Sequence, residues 1–150
     1  IEAARVRLLD LALAAYVRGV RLLTENWFAL LSRPEHVHAL LSGTNRMVGL
    51  TFDFGNWGGP EKPEKYEMLT GIASLAEGCH AKCNFAETGE ADWDDFARCC
   101  DLLRGASYAG PFTLVASNPR DIWAGIAEQR DFLRLRGYAL AELRDTPPPA

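Results

Sequence analysis

No run of about 18 uninterrupted apolar residues occurs in the 150-residue chain, so no transmembrane helix is expected. Charge of one sign is scarce too. Lys and Arg number 16 against 20 Asp and Glu, with a net charge of −4 and no run of like charge. A nucleic-acid binder needs a basic surface that displaces counterions, and this chain lacks one. A local pocket for a small anion stays compatible with that balance. Cysteine is sparse, at four residues, which excludes a disulfide-dense scaffold. With no secretory segment, Cys79, Cys83, Cys99 and Cys100 point to reduced thiols in a cytoplasm. Glycine-rich phosphate loops and the GxSxG nucleophile turn are also missing: Gly55, Gly58 and Gly59 match neither pattern.

What remains is an ordinary globular composition, 48% apolar and 24% charged, in a length suited to one domain. The opening IEAARVRLLDLALAAYVRG carries acids and arginines through its apolar run. It predicts an amphipathic helix over 2–18, with Val6, Leu9, Leu13 and Val17 as its stripe, and not a signal peptide. A start at Ile1 in place of Met points to a processed or excerpted chain.

Strand-like and helix-like segments then alternate. Strands are expected at 20–27, 47–53, 79–85 and 110–117. Helices are expected at 35–41, 66–77, from the cap at Asp92 to about 106, and over 120–135. Ser32 and Glu35 form a capping-box signature around Pro34, and Asn118-Pro119 opens the last helix. The tail from 138 to 150, rich in proline, is expected to be partly disordered. Strand starts near 20, 47, 79 and 111 step by 27, 32 and 32 residues, one βα unit each. Strict alternation implies parallel strands with helices packed over the sheet. The expected fold is therefore α/β, a parallel (β/α) half-barrel of four βα units preceded by one helix. A closed eight-unit barrel needs about 200 residues or more, so one copy cannot make it. An open sheet of four strands would expose two unpaired edges and an apolar inner face.

Ligands of parallel βα folds bind at the carboxyl ends of the strands. Glu25, Asp53 and His80 fall there, at spacings of 28 and 27, close to the unit length. Two carboxylates and an imidazole on adjacent strands suit Mn²⁺, Mg²⁺, Co²⁺ or Zn²⁺. The alternative is that each caps a helix or pairs with an arginine. Lys82 shares the face of His80. It is placed either to hold a substrate oxyanion or phosphate or to pair with Asp53 or Glu25. Asn56 serves either a substrate hydroxyl or its own turn. Trp27 and Trp57 offer either an apolar sugar-binding wall or loop packing. Alternation puts Cys79 and Cys83 on the face opposite His80, away from any metal there. Cys99 and Cys100 read as small core residues. His36 and His38 lie on different helix faces and are expected in solvent.

The stretches TENW at 24–27, GLTFDFGNW at 49–57, CHAKCNF at 79–85 and YAGPFTLVAS at 108–117 carry a resemblance. Over most of 15–137 the chain resembles the C-terminal half of the xylose-isomerase-like TIM barrels. That superfamily includes sugar isomerases, sugar and sugar-phosphate epimerases, inosose dehydratases and endonuclease IV-type enzymes. The resemblance implies one divalent metal held by Glu25, Asp53 and His80, with Glu25 also acting in proton transfer. It places Asn56 where a loop histidine is common, and Val115 where a fourth, carboxylate ligand stands.

Three functions follow as expectations. The first is a metal-dependent sugar or sugar-phosphate isomerase or epimerase, moving a proton next to a metal-polarised carbonyl, with Lys82 neutralising substrate charge. The second, prompted by Val115, is a non-catalytic or degenerate sugar- or metal-binding relative, or a fragment inactive without its N-terminal half. The third, phosphodiester cleavage, needs more histidines than the three present and a basic groove. The partners expected are a small sugar substrate and either a missing N-terminal half-barrel or a second copy of the chain, with no nucleic acid and no membrane.

Overall fold

β-Branched and aromatic runs bounded by Gly, Pro and Asn alternate with helix-forming runs, and the chain folds accordingly. The structure is a computed structural model that describes residues 1–27, 29–58, 61–115 and 117–139. The elements are α1 (Glu2–Tyr16), β1 (Leu22–Glu25), α2 (Pro34–Gly43), β2 (Val48–Asp53), α3 (Glu64–Ala73), β3 (Ala76–Lys82), α4 (Trp93–Gly105), β4 (Phe112–Val115) and α5 (Ile122–Leu135). The strands form one parallel sheet in the order β1-β2-β3-β4. Over the described residues this is an α/β fold with four parallel strands and five helices, consistent with half of a β/α barrel.

Side chains alternate across the sheet. Val48, Leu50, Phe52, Cys79 and Ala81 join the core with Val37, Leu40, Leu69, Ile72, Phe96 and Leu103 of the helices. The opposite face carries Leu23, Glu25, Gly49, Thr51, Asp53, Gly78, His80, Lys82, Thr113 and Val115. Only Leu23 and Val115 among these are large and apolar, so the expected apolar inner face is not what forms. Both edges, β1 and β4, end the sheet as expected. Gly49 is needed on this face, because an added Cβ would lie 2.6 Å from Leu23 Cδ2 and 2.5 Å from Glu77.

Several boundaries differ from the sequence-based expectation. β3 starts at Ala76, not Cys79, and ends at Lys82, while α3 spans 64–73 in place of 66–77. Pro63 and the acidic Glu64 and Glu67 favour the earlier helix start. Pairing of Leu50 with Ala76 takes the helix's expected last turn into the sheet. Register then slips, so that Thr51 faces Gly78 and Glu77 is the extra residue. Arg21 holds Glu77 with Nε–Oε2 at 2.7 Å and also donates to Met47 O at 2.7 Å. β1 and β4 are shorter than expected, at four residues each.

The capping box at Ser32 does not form. The α2 N-cap is Arg33, with Pro34 following, so Ser32 sits one residue too early. Asn118 does not open α5 directly. Its Oδ1 accepts from Arg120 N (2.9 Å) and Asp121 N (3.2 Å), and Asp121 caps the helix through Ala124 N. Asp92 caps α4 as expected, accepting from Asp95 N at 2.9 Å. On α1 the expected stripe is wrong. Ala12 is buried and Leu8 packs on the core, while Val6 and Val17 are 47% and 77% exposed. The small Ala12 lets α1 lie close to the body, where Arg5 reaches Gly43 O at 3.1 Å. Tyr138 packs on Phe112 with ring centroids 4.8 Å apart, so the expected tail does not begin there. The rest of that tail, 140–150, lies outside the described residues.

One core feature is ionic. Lys65 Nζ lies 2.7 and 2.9 Å from the two carboxylate oxygens of Asp95, and neither side chain meets solvent. Tyr66 OH (2.8 Å) and Asn84 Nδ2 (2.8 Å) donate to the same carboxylate. Removing one partner strands a buried charge. Lys65→Met is therefore expected to lower stability by about 3–5 kcal/mol in urea unfolding, whereas a loss below about 1 kcal/mol, the range of an exposed pair, would contradict the burial.

Candidate metal centre

Parallel pairing brings the carboxyl ends of β1, β2 and β3 to one edge. Glu25 ends β1 opposite Thr51, and Asp53 ends β2 opposite His80. One ligand atom from each of Glu25, Asp53 and His80 lies within 4.8 Å of the other two. His80 Nδ1 is 3.2 Å from Glu25 Oε1 and 3.9 Å from Asp53 Oδ2. Asp53 is buried, whereas Glu25 and His80 are partly open to solvent. These three expected residues are brought together.

The carboxylates are held from below. Asp53 Oδ1 accepts from the main-chain N–H of Gly55 and of Asn56, both at 2.7 Å. Asn56 Nδ2 donates to Glu25 Oε1 at 2.6 Å. Asn56 therefore orders its own turn and orients Glu25 at once. Lys82 lies two residues beyond His80 on the same face, and its ammonium has no partner among the described residues. Its stem crosses Gly55, where an added Cβ would sit 3.0 Å from Lys82 Cδ. The expected pairing of Lys82 with Asp53 or Glu25 is not seen.

Trp57 is buried, and its indole N–H donates to Leu31 O at 2.8 Å, which is loop packing. It still borders, with Asn56 and Lys62, an open cleft of about 460 Å³. Trp27 is 48% exposed at the end of β1. Val115 lies on the inner face of β4, in register with Lys82, and brings no carboxylate. Cys79, Cys83, Cys99 and Cys100 are free and buried. Burial pushes the thiols of Cys83, Cys99 and Cys100 up to about 12. They are inert core groups, as expected. His38 is exposed, with Nε2 2.9 Å from Gly71 O, but His36 is half-buried and its Nδ1 is enclosed, contrary to expectation.

Two positioning residues were missed in the sequence. Asn26 is fully buried and bridges to Asp53 both ways: Asp53 N donates to Oδ1 (2.7 Å) and Nδ2 donates to Asp53 O (3.1 Å). Its amide continues the ladder where β1 ends. Gln129 of α5 does the same across β3 and β4, accepting from Cys83 N and donating to Val115 O, both at 3.2 Å. A polar residue directly after a strand-end carboxylate was the available signal for Asn26. Gln129 sits in helical sequence and offers none.

The donor set fits a divalent cation. Two carboxylates face one imidazole with no Lys or Arg paired to them among the described residues, so negative charge is left over there. Burial pushes the Asp53 carboxyl up to about 6, helped by the adjacent Glu25, while the N–H groups of Gly55 and Asn56 pull it back. Hard oxygen-rich ligation with one nitrogen suits Mg²⁺, Mn²⁺, Co²⁺ or Zn²⁺. No family model matches the chain, and no curated protein gives a significant match. Among the described residues no helix is long and apolar enough to cross a membrane.

The raised Asp53 value has a sign. The metal-free native state holds this proton up to about pH 6, above the ordinary 3.8 of the unfolded chain. Stability from this group is thus complete below about pH 4 and declines as pH rises through 6, by about 2–3 kcal/mol in total. Asp53→Asn is expected to remove that slope in urea unfolding from pH 4 to 7. An unchanged slope would contradict the burial cost.

Proposed function

We propose that the chain is the metal-binding half of a sugar or sugar-phosphate isomerase or epimerase of the xylose-isomerase-like TIM-barrel type. The observation that carries this reading is the convergence of Glu25, Asp53 and His80 at one end of a parallel sheet. In this reading all three hold a divalent metal, and the metal supplies Lewis-acid polarisation of the substrate carbonyl. Glu25 takes the proton from the carbon beside that carbonyl through its Oε2. Asn56 holds the other oxygen in place. Lys82 neutralises the negative charge of the substrate, and Trp27 offers an apolar surface to the sugar. Buried Asp53 stays fixed by its two N–H donors and serves binding, not proton transfer.

Isothermal titration with Mn²⁺ tests the first step. Wild type is expected to bind one ion, and Glu25→Gln to bind at least about tenfold more weakly, since even outer-shell partners of a metal cost 10–100-fold. Equal affinities, or no heat in either, would sink the reading. The catalytic half is tested in D₂O with Mn²⁺ and ketose or ketose phosphate. Exchange of the proton next to the carbonyl is expected in wild type and absent in Glu25→Gln.

Val115 favours a second reading, a non-catalytic relative that binds sugar or metal. If Val115→Glu creates tight Mn²⁺ binding that wild type lacks, this second reading holds. The two sheet edges support completion of the pocket by further βα units, from an N-terminal half or from a second copy. Sedimentation at several concentrations separates these: a mass fixed at 16.6 kDa excludes the dimer.

A further inference from the structure

We infer that Asn84, tied to the buried Lys65–Asp95 pair, is a positioning residue that fixes the separation of the segments following β2 and β3, the strands that carry Asp53 and His80 of the metal site. Lys65 lies in the first turn of α3, which follows the loop after Asp53 that contains Asn56. Asn84 lies just past β3, two residues beyond Lys82 and four beyond His80. Asp95, in the first turn of α4, bonds to both.

The neighbouring contacts point the same way. Phe96, next to Asp95, packs edge-on against Phe54, the residue after Asp53, with centroids 5.5 Å apart. Asn84 O accepts from Asp92 N at 2.9 Å, so Asn84 is held by its main chain as well as its side chain. The pair thus closes a circuit: Asp53–Phe54 to α4, α4 to Lys65, and Asp95 to the strand end beyond His80. A buried ion pair is weak evidence of a stability role, since apolar residues of like volume often fold as well. Three donors, from Lys65, Tyr66 and Asn84, on one buried carboxylate fix its position. Tyr66, the third donor, keeps its proton, because burial and then Asp95 hold its phenol far above the ordinary range.

This inference rests on the metal reading for its affinity arm and not for its exchange arm. Asn84→Ala removes the tie without leaving a buried charge unpaired. Arg21→Ala, which removes the contacts to Glu77 and Met47 O at the amino ends of the strands, away from the tie, serves as a control for lost stability. Mn²⁺ affinity is read by calorimetry, and amide hydrogen exchange is read at residues 54–58 and 82–86 in the metal-free protein. Asn84→Ala is expected to weaken Mn²⁺ about tenfold, the lower end for outer-shell partners, and to speed exchange in both stretches. Arg21→Ala should do neither. Wild-type affinity together with unchanged exchange in Asn84→Ala overturns the inference, as does acceleration spread evenly over the chain. If wild type binds no Mn²⁺, the metal reading fails, and local exchange alone decides: faster in both stretches supports the tie, unchanged rejects it.

Discussion

Parallel pairing of four strands sends every strand's carboxyl end to the same edge, and the rest of the molecule follows from that constraint. Residues of three separate sequence stretches meet there without any long-range loop. Register does the fine work. Asp53 faces His80 directly across β2 and β3, while Glu25 sits one step away beside Thr51. The side-chain amides of Asn26 and Gln129 extend the ladder past the last main-chain pairs, so the strand ends do not fray where the site needs them fixed.

The site is charged beyond what the protein itself compensates. Asp53 is buried with two N–H donors, Glu25 has one amide donor, and among the described residues the imidazole of His80 faces them both. Burial, and secondarily the neighbouring Glu25, disfavours a charged Asp53 in the metal-free state, which shows in its raised value. A divalent cation would reverse that cost. Elsewhere the same fold buries Lys65 against Asp95 with full compensation. The contrast between a closed ionic pair and an open anionic cluster separates scaffold from site.

Strand-end chemistry was legible in the sequence because it depends on spacing. Glu25, Asp53 and His80 recur at the βα unit length, and a period survives errors of two or three residues in each boundary. The alternation that set Cys79 against His80 held for the same reason. Helix faces were less legible. On α1 Val6 and Leu13 are exposed, because the helix meets the body through Ala12 and Leu8. The start of β3 was hidden because AEGC reads as the end of a helix until Leu50 offers a pairing partner. The Lys65–Asp95 pair was invisible, since it joins residues 30 apart that share no pattern. The polar inner face was misjudged because the expectation weighed the strands as a whole and not residue by residue along one face.

Crystals of the protein soaked in Mn²⁺ and measured at a wavelength that reports manganese test the central claim most directly. The account predicts one anomalous peak, about 2.0–2.5 Å from oxygens of Glu25 and Asp53 and from a nitrogen of His80. A peak elsewhere, with none between these three side chains, would contradict it.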